Sequence, residues 1–374
     1  MLVLDAHMSE RICRWGILSA AEIARKNWHS VALSGNGEVA AVASRNRDKA
    51  QQFIDECQMS VPVAKSIDAL GSYDELIART DIDAVYIPLP TGVRTEWVIK
   101  AANAGKHVLV EKPCGVGVDE LESIIKACKS NNVQFMDGVM FMHSSRLPAM
   151  RQVLDDKDRI GAVRRITSQF SFRADDEFFR SNIRGSMGLE PAGCLGDLGW
   201  YTIRFALWAM NYEMPAEVRG RILASVESAE SSEPVPTEFE GDMLFANGTS
   251  ASFFNSFLCE NSQISVVNGE NGYLQVEDFV LPFFGSELQF TVNNHSFDVD
   301  CCRFNMQRRT TGCGVQEYSN NAVNAQEVNM FRTFADLVHS GNPDQHWQEI
   351  AFKTQQVMEA ALASARNGCN PVKL

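Results

Sequence analysis

Lys112 ends the run His107-Val108-Leu109-Val110-Glu111-Lys112-Pro113, an apolar strand that leads straight into a polar turn. A lysine at the carboxyl end of a strand stands where open α/β sheets bind ligands. Its ammonium group can polarise a substrate oxygen or depress a neighbouring hydroxyl's pKa. Taken alone, the turn reads equally well as an ordinary polar strand end. Prospective partners come from Gly193-Cys194-Leu195-Gly196-Asp197-Leu198-Gly199-Trp200-Tyr201, which precedes an apolar helix over Thr202 to Met210. Asp197 and Tyr201 are four residues apart, so on a helix they share a face. A phenol beside an ammonium group is a workable general acid/base pair, because the cation stabilises phenolate. A carboxylate one turn away can hold a substrate hydroxyl or keep the lysine charged. The plainer reading is a helix start with a buried Tyr and a capping-type Asp.

These residues need a scaffold, and the first ~140 residues supply one by alternating strand-like and helix-like segments. Strands are expected at Trp15 to Ser19, Val39 to Ala43, Asp83 to Ile87, His107 to Val110 and Gln134 to Val139. Helices are expected from Ala20, over Asp48 to Cys57, Glu96 to Ala104 (capped by Gly105) and Val118 to Asn131. Such alternation implies a parallel, doubly wound sheet. Beyond about residue 145, Val163 to Arg173, Glu217 to Ser225, Phe239 to Phe245, Ser250 to Phe257 and Gln263 to Val267 alternate apolar and polar residues. With turns such as Asn247-Gly248, they suggest a mostly antiparallel sheet with one covered face. Helical pattern returns at Val328 to Ser340 and Trp347 to Asn367, and Val226 to Pro236 reads as an exposed loop. The expected fold class is therefore α/β, with a nucleotide-type domain over 1–142 and an α+β domain over 143–344. A C-terminal helix at about 345–367 is expected to pack back on the first domain.

A dinucleotide site needs a tight turn after the first strand, so that backbone N–H groups meet the pyrophosphate. The usual G-x-G-x-x-G/A appears only as Ser19-x-Ala21-x-x-Ala24, with small residues in place of the glycines. Ser19, Ala20, Ala21, Glu22 and Ile23 are the candidate contacts there. At the end of the second strand, where an NAD-specific site carries Asp or Glu, stand Ser44 and Arg45. Nothing there repels a 2′-phosphate; Ser44 can donate to it, Arg45 can pair with it, and Lys49 is a second cation. Any dinucleotide bound is therefore expected to be NADP, with NAD as the alternative.

Bulk properties exclude several classes. The 374 residues are 45% hydrophobic and 22% charged, the balance of a globular protein of about two domains. No stretch approaches the ~20 apolar residues that cross a bilayer. The N-terminus, with Asp5, His7, Glu10 and Arg11, lacks the apolar run of a signal peptide. A net charge of -13, from 34 basic and 47 acidic residues, argues against nucleic acid and anionic membrane as partners. Ten scattered cysteines include no C-x-x-C, which points to most of them being small buried residues in a reducing, cytoplasmic setting. No His/Asp/Glu cluster has metal-ligand spacing. His143, just past a strand, could reach the domain junction or serve packing alone.

Together these motifs resemble the glucose-fructose oxidoreductase / inositol dehydrogenase family over nearly the whole chain. The matching segments are Gly16 to Ala24, Val42-Ala43-Ser44-Arg45, Ile87-Pro88-Leu89-Pro90-Thr91, Glu111-Lys112-Pro113, Gly193 to Tyr201 and Gly269 to Val276. Within the family, Tyr201 makes the chain most similar to the branch of NADP-dependent D-xylose dehydrogenases and dimeric dihydrodiol dehydrogenases. The resemblance implies a Rossmann domain followed by an open-faced sheet domain used for dimerisation, hence a homodimer or higher homo-oligomer. It also implies hydride transfer between nicotinamide and the CH–OH group of a sugar or cyclic polyol. Lys112 and Tyr201 would then be the catalytic pair, with Lys112 bringing the phenol's pKa down, and Asp197 would orient the substrate. Leu89, Pro90, Thr91, Arg94, Glu111 and Lys112 would line the nicotinamide side. Thr91 and Arg94 depart from the family's usual Asn and His, and Arg94 would place a permanent charge near nicotinamide or substrate. A trans-dihydrodiol dehydrogenase or dicarbonyl reductase is the alternative within this class. A non-catalytic NADP-binding regulator is the alternative outside it, against which the intact Lys112, Asp197 and Tyr201 argue.

Overall fold

The computed structural model describes residues 11–228 and 231–374. Of the N-terminal residues weighed above, Asp5, His7 and Glu10 lie outside the described residues. Strand β1 (Cys13–Leu18), helix α1 (Glu22–Ser34), β2 (Gly37–Ala43), α2 (Arg47–Ser60), β3 (Asp68–Leu70) and α3 (Tyr73–Ile77) build the first half of a parallel sheet. The second half is β4 (Ala84–Ile87), α4 (Thr91–Asn103), β5 (His107–Val110), α5 (Val118–Ser130) and β6 (Phe135–Asp137). The order β3-β2-β1-β4-β5-β6 reverses between β1 and β4, and ligands of such sheets bind at the carboxyl ends flanking that switch point. Helices cover both faces, so β4 is buried along its whole length, as an all-apolar Ala-Val-Tyr-Ile strand requires. Asn46 caps α2 by accepting from the Asp48 and Lys49 N–H groups, and Gly105 takes a left-handed φ of 75° just beyond α4. Helix α4 starts five residues before the expected Glu96, immediately after Pro90.

The second unit begins with α6 (Arg146–Asp155), β7 (Val163–Ser171), α7 (Asp176–Ser181) and α8 (Trp200–Ala209). Then come β8 (Glu217–Ser228), β9 (Ser231–Leu244), β10 (Ser250–Ser256), β11 (Ser265–Gly269), β12 (Tyr273–Val276) and β13 (Leu288–Asn293). A two-stranded arm, β14 (Ser296–Asp300) and β15 (Arg303–Gln307), precedes β16 (Thr310–Val315). Helices α9 (Gln326–Ser340) and α10 (His346–Arg366) and the short β17 (Val372–Lys373) end the chain. The nine-stranded sheet runs β16-β13-β12-β11-β7-β10-β9-β8-β17; only β7 and β10 pair in parallel. Strand β10 alternates inward Ala251, Phe253 and Asn255 with half-buried outward residues, the period-two pattern that marked it in the sequence. Two expectations change. Val226 to Pro236 is not a loop: apart from residues 229–230, outside the described residues, it forms the paired ends of β8 and β9. Strands β13 to β16 were not anticipated, although β13, β14 and β15 each alternate apolar and polar residues; only β16, with Gly312 and Gly314, lacks that pattern.

Two helices tie the units together. Helix α10 packs on α5 and β6 of the first unit and on α8 and β8 of the second, around a buried ion pair. There Arg204 donates to Asp137 (2.6 Å) and to the Thr354 hydroxyl (2.7 Å), while the Trp200 indole donates to Asp137 (3.0 Å). Helix α9, which the sequence division put in the second unit, packs on α1 and β1, with Phe331 edge-on to Trp15 at 5.1 Å. Charges buried this deeply hold only when both partners and their remaining hydrogen bonds are present. Among the described residues no helix is long and apolar enough to cross a membrane.

Candidate active site

The ends of β1, β2, β4 and β5 carry the sequence candidates to one edge of the parallel sheet. After β5, Lys112 turns toward a widened helical turn over Leu195–Gly199 that runs into α8. Its Nζ donates to Asp197 Oδ1 (2.7 Å) and to the Asp197 carbonyl (2.6 Å), and sits 4.7 Å from the centre of the Tyr201 ring. The three expected catalytic residues are thus brought together from segments 85 positions apart in sequence. Gly196 permits the approach: a Cβ there would meet Ala192 Cβ at 3.0 Å and Pro113 Cγ at 3.2 Å. Lys112 and Asp197 side chains are only 9% and 13% exposed, so their attraction is little screened by water.

A fourth member was not anticipated. Arg184, on a strap between α7 and the widened turn, donates through Nε to Asp197 Oδ2 (2.7 Å) and through Nη2 to Oδ1 (3.2 Å). Burial alone would raise the Asp197 pKa, but Arg184 and Lys112 overcome it and hold the carboxyl well below the usual carboxylate range. The same strap crosses α4. Glu190 accepts from the Thr91 N–H (3.0 Å) and hydroxyl (2.7 Å), and the Gly92 N–H donates to the Leu189 carbonyl (2.9 Å). A Cβ on Gly92 would lie 2.0 Å from the Gly188 carbonyl oxygen, so only glycine fits. Neither Arg184 nor Glu190 carries a periodic or motif signal; long-range packing alone gives them partners.

The expectation that Lys112 lowers the Tyr201 pKa is corrected. The ammonium lies over the ring, with its bonds taken up by Asp197, while the phenol OH contacts Met140 Sδ at 3.6 Å. Burial, then Glu111 and Asp197, push the phenol well above its ordinary value, and Arg184 opposes them. Tyr201 is therefore held as a neutral phenol. Arg94 is likewise not a free charge. It is buried, and its guanidinium donates to the Leu89, Glu111 and Pro113 carbonyls, pinning the turn after β4 to the turn after β5. Glu111 is fixed in turn by the Tyr86 hydroxyl (2.6 Å), which accepts from Asn27 (2.6 Å). His143 is buried and stacked on Trp347 at 4.7 Å, where burial pushes its pKa down to about 3; it is a packing residue of the junction.

At the β1–α1 turn, Ser19 holds φ at 133°, a conformation that favours glycine. Ser19, Ala20 and Ala21 are small and half-buried, and Ala21 offers no side-chain cap to α1. The first N–H groups of α1 thus lack a side-chain cap. Glu22 turns aside to Arg25 (3.0 Å), and Ile23 is exposed. After β2, Ser44 is buried while Arg45 and Lys49 are exposed. Small turn residues, uncapped N–H groups, and a hydroxyl with two cations suit a phosphorylated dinucleotide.

Residues 13–139 match the model described as "Oxidoreductase family, NAD-binding Rossmann fold", and 148–275 match the "GFO/IDH/MocA C-terminal domain". The chain belongs to the GFO/IDH/MocA oxidoreductase family. It is 30% identical over 261 residues to D-xylose 1-dehydrogenase (NADP(+)) 2 of Haloferax volcanii, covering 70% of this chain and 74% of that one. It is 32% identical over 217 residues to a dTDP-3,4-didehydro-2,6-dideoxy-alpha-D-glucose 3-reductase of Streptomyces violaceoruber, covering 57% and 58%. The chain thus matches little more than half the length of that reductase. A 3-ketoreductase variant from Actinomadura kijaniata, solved with TDP-benzene and NADP, shares the fold with a TM-score of 0.75. It is 23% identical, with 96% of this chain and 98% of that one covered. Several of these relatives are named as NADP-linked oxidoreductases of sugar-type substrates, the class that the motifs implied.

Proposed function

We propose that this protein is an NADP-dependent oxidoreductase that interconverts a CH–OH group and a carbonyl on a sugar or cyclic polyol. The observation that carries the reading is the Lys112–Asp197–Tyr201 cluster at the carboxyl edge of the parallel sheet. When bound, the nicotinamide supplies or takes the hydride. Lys112 would polarise the substrate oxygen, and the neutral Tyr201 phenol would deliver the proton as the carbonyl is reduced. Asp197 holds the ammonium in place and would orient a neighbouring hydroxyl. Ser19 to Ile23 would meet the pyrophosphate, Ser44, Arg45 and Lys49 the 2′-phosphate, and Leu89, Pro90, Thr91 and Glu111 the nicotinamide side. A homodimer through the uncovered face of the second sheet, and a cytoplasmic location, belong to the same reading. NADPH oxidation is measured with a panel of keto-sugars, nucleotide-linked keto-sugars and dicarbonyls, and NADP reduction with aldoses, inositols and trans-dihydrodiols. Turnover that Lys112→Met abolishes while NADPH still binds is expected; binding of NADPH with no turnover across the panel would favour the regulator instead.

A further inference from the structure

Three charged groups meet at the Asp197 carboxylate, and their sum matters to the phenol beside them. Lys112 alone, paired with Asp197, would present Tyr201 with an ammonium already cancelled by a carboxylate. Arg184 changes that sum. It takes both Asp197 oxygens, one of them shared with Lys112, so that carboxylate answers to two cations, while Glu190 also acts on Arg184. The Lys112 Nζ, whose counter-anion is shared with Arg184, stands 4.7 Å from the Tyr201 ring centre. Other charges facing the phenol are Glu111 from the β5 turn and Asp137 from β6; both are acidic. Low exposure of Lys112 and Asp197 keeps the field strong. The strap that carries Arg184 is itself anchored, through Glu190 on Thr91 at the start of α4.

We infer that Arg184 is a positioning residue of the reaction, which acts through Asp197 to leave the Lys112 charge uncancelled at Tyr201 and at the substrate oxygen. The inference rests on the reading of Lys112 and Tyr201 as the working pair. Partial negative charge that builds on the substrate oxygen during hydride delivery then meets an ammonium whose counter-anion is shared with Arg184 instead of one fully paired. Arg184 needs no contact with substrate for this.

The test is a double-mutant cycle on the full-length protein, read as single-turnover hydride transfer from NADPH at pH 7.5 on the best substrate of the panel. Arg184→Met is expected to slow transfer about tenfold and to leave NADPH affinity within twofold, because Lys112 and Asp197 then cancel. In the Asp197→Asn background the same change is expected to cost no more than about twofold, since no carboxylate is left to cancel the lysine. Arg184→Lys, which keeps the charge, is expected to stay within about threefold of the parent, whereas Arg184→Gln, which keeps a hydrogen bond but no charge, is expected to match Arg184→Met. Arg184→Gln also completes the cycle if Arg184→Met does not fold. Equal losses in both backgrounds, or an Arg184→Gln protein as fast as the parent, would overturn the inference and leave the proposed function standing. Absence of any Tyr201-dependent turnover in the parent protein would overturn both.

Discussion

The two ends of the site are built in opposite ways. Around the β1–α1 turn and the end of β2, the candidate groups are local: backbone N–H groups, small side chains, and Arg45 and Lys49 exposed on the surface. Around Lys112, every polar group is held by another from a distant segment. Asp197 binds Lys112 and Arg184, Glu190 binds Thr91, Tyr86 binds Glu111, and Arg94 gathers three carbonyls. An end made of backbone groups and exposed cations is expected to tolerate substitution more readily. The chemical end has no such slack, because removing one member leaves a buried partner unsatisfied.

If that contrast is right, substitutions at the two ends fail in different ways. The largest effect is expected for Tyr201→Phe, which removes the proton donor and leaves Lys112 and Asp197 in place. Transfer should slow about 10²–10⁴-fold while NADPH affinity changes little; a loss confined to NADPH binding, seen by nucleotide fluorescence titration, would put Tyr201 on the cofactor side. Arg45→Ala is expected to weaken NADPH about tenfold or more, through a charged hydrogen bond of roughly 1.5–3 kcal/mol, while NADH binding and the transfer rate stay nearly level. Equal weakening of both nucleotides would refute the 2′-phosphate role. Smallest is Ser19→Gly. Relief of the 133° φ should raise unfolding stability by about 1 kcal/mol, read as a higher urea midpoint with unchanged m-value. A lower midpoint would show that the serine side chain, not the backbone, sets that turn.

Legibility in the sequence followed the same division. Strand-and-helix alternation located five of the six strands of the first sheet and the turns after them, because parallel strands buried on both faces must be apolar runs. Lys112, Asp197 and Tyr201 stood out because each closes a distinctive local segment. Strand β3 was missed because Asp68-Ala69-Leu70 stands in no longer apolar run, whereas the equally short β6 does; β13 to β15 alternate cleanly and were overlooked, and β16 is interrupted by two glycines. Arg94 was misjudged for a general reason. An arginine next to a binding turn looks like a ligand group, and only the presence of three carbonyls around it shows that it fastens two loops together.

By itself the sequence determined the family, the two kinds of sheet, the absence of an acidic residue at the end of β2, and the identity of the lysine, aspartate and tyrosine. Those follow from local composition and spacing, which depend on neighbours a few residues away. Tertiary structure alone decided the charge and proton states. It placed Arg184 on Asp197, turned Arg94 inward, and set the Lys112 ammonium over the ring of Tyr201 instead of at its hydroxyl. Those outcomes depend on distances of a few ångströms between segments far apart in the chain and on the water that packing excludes, and a linear spacing encodes neither.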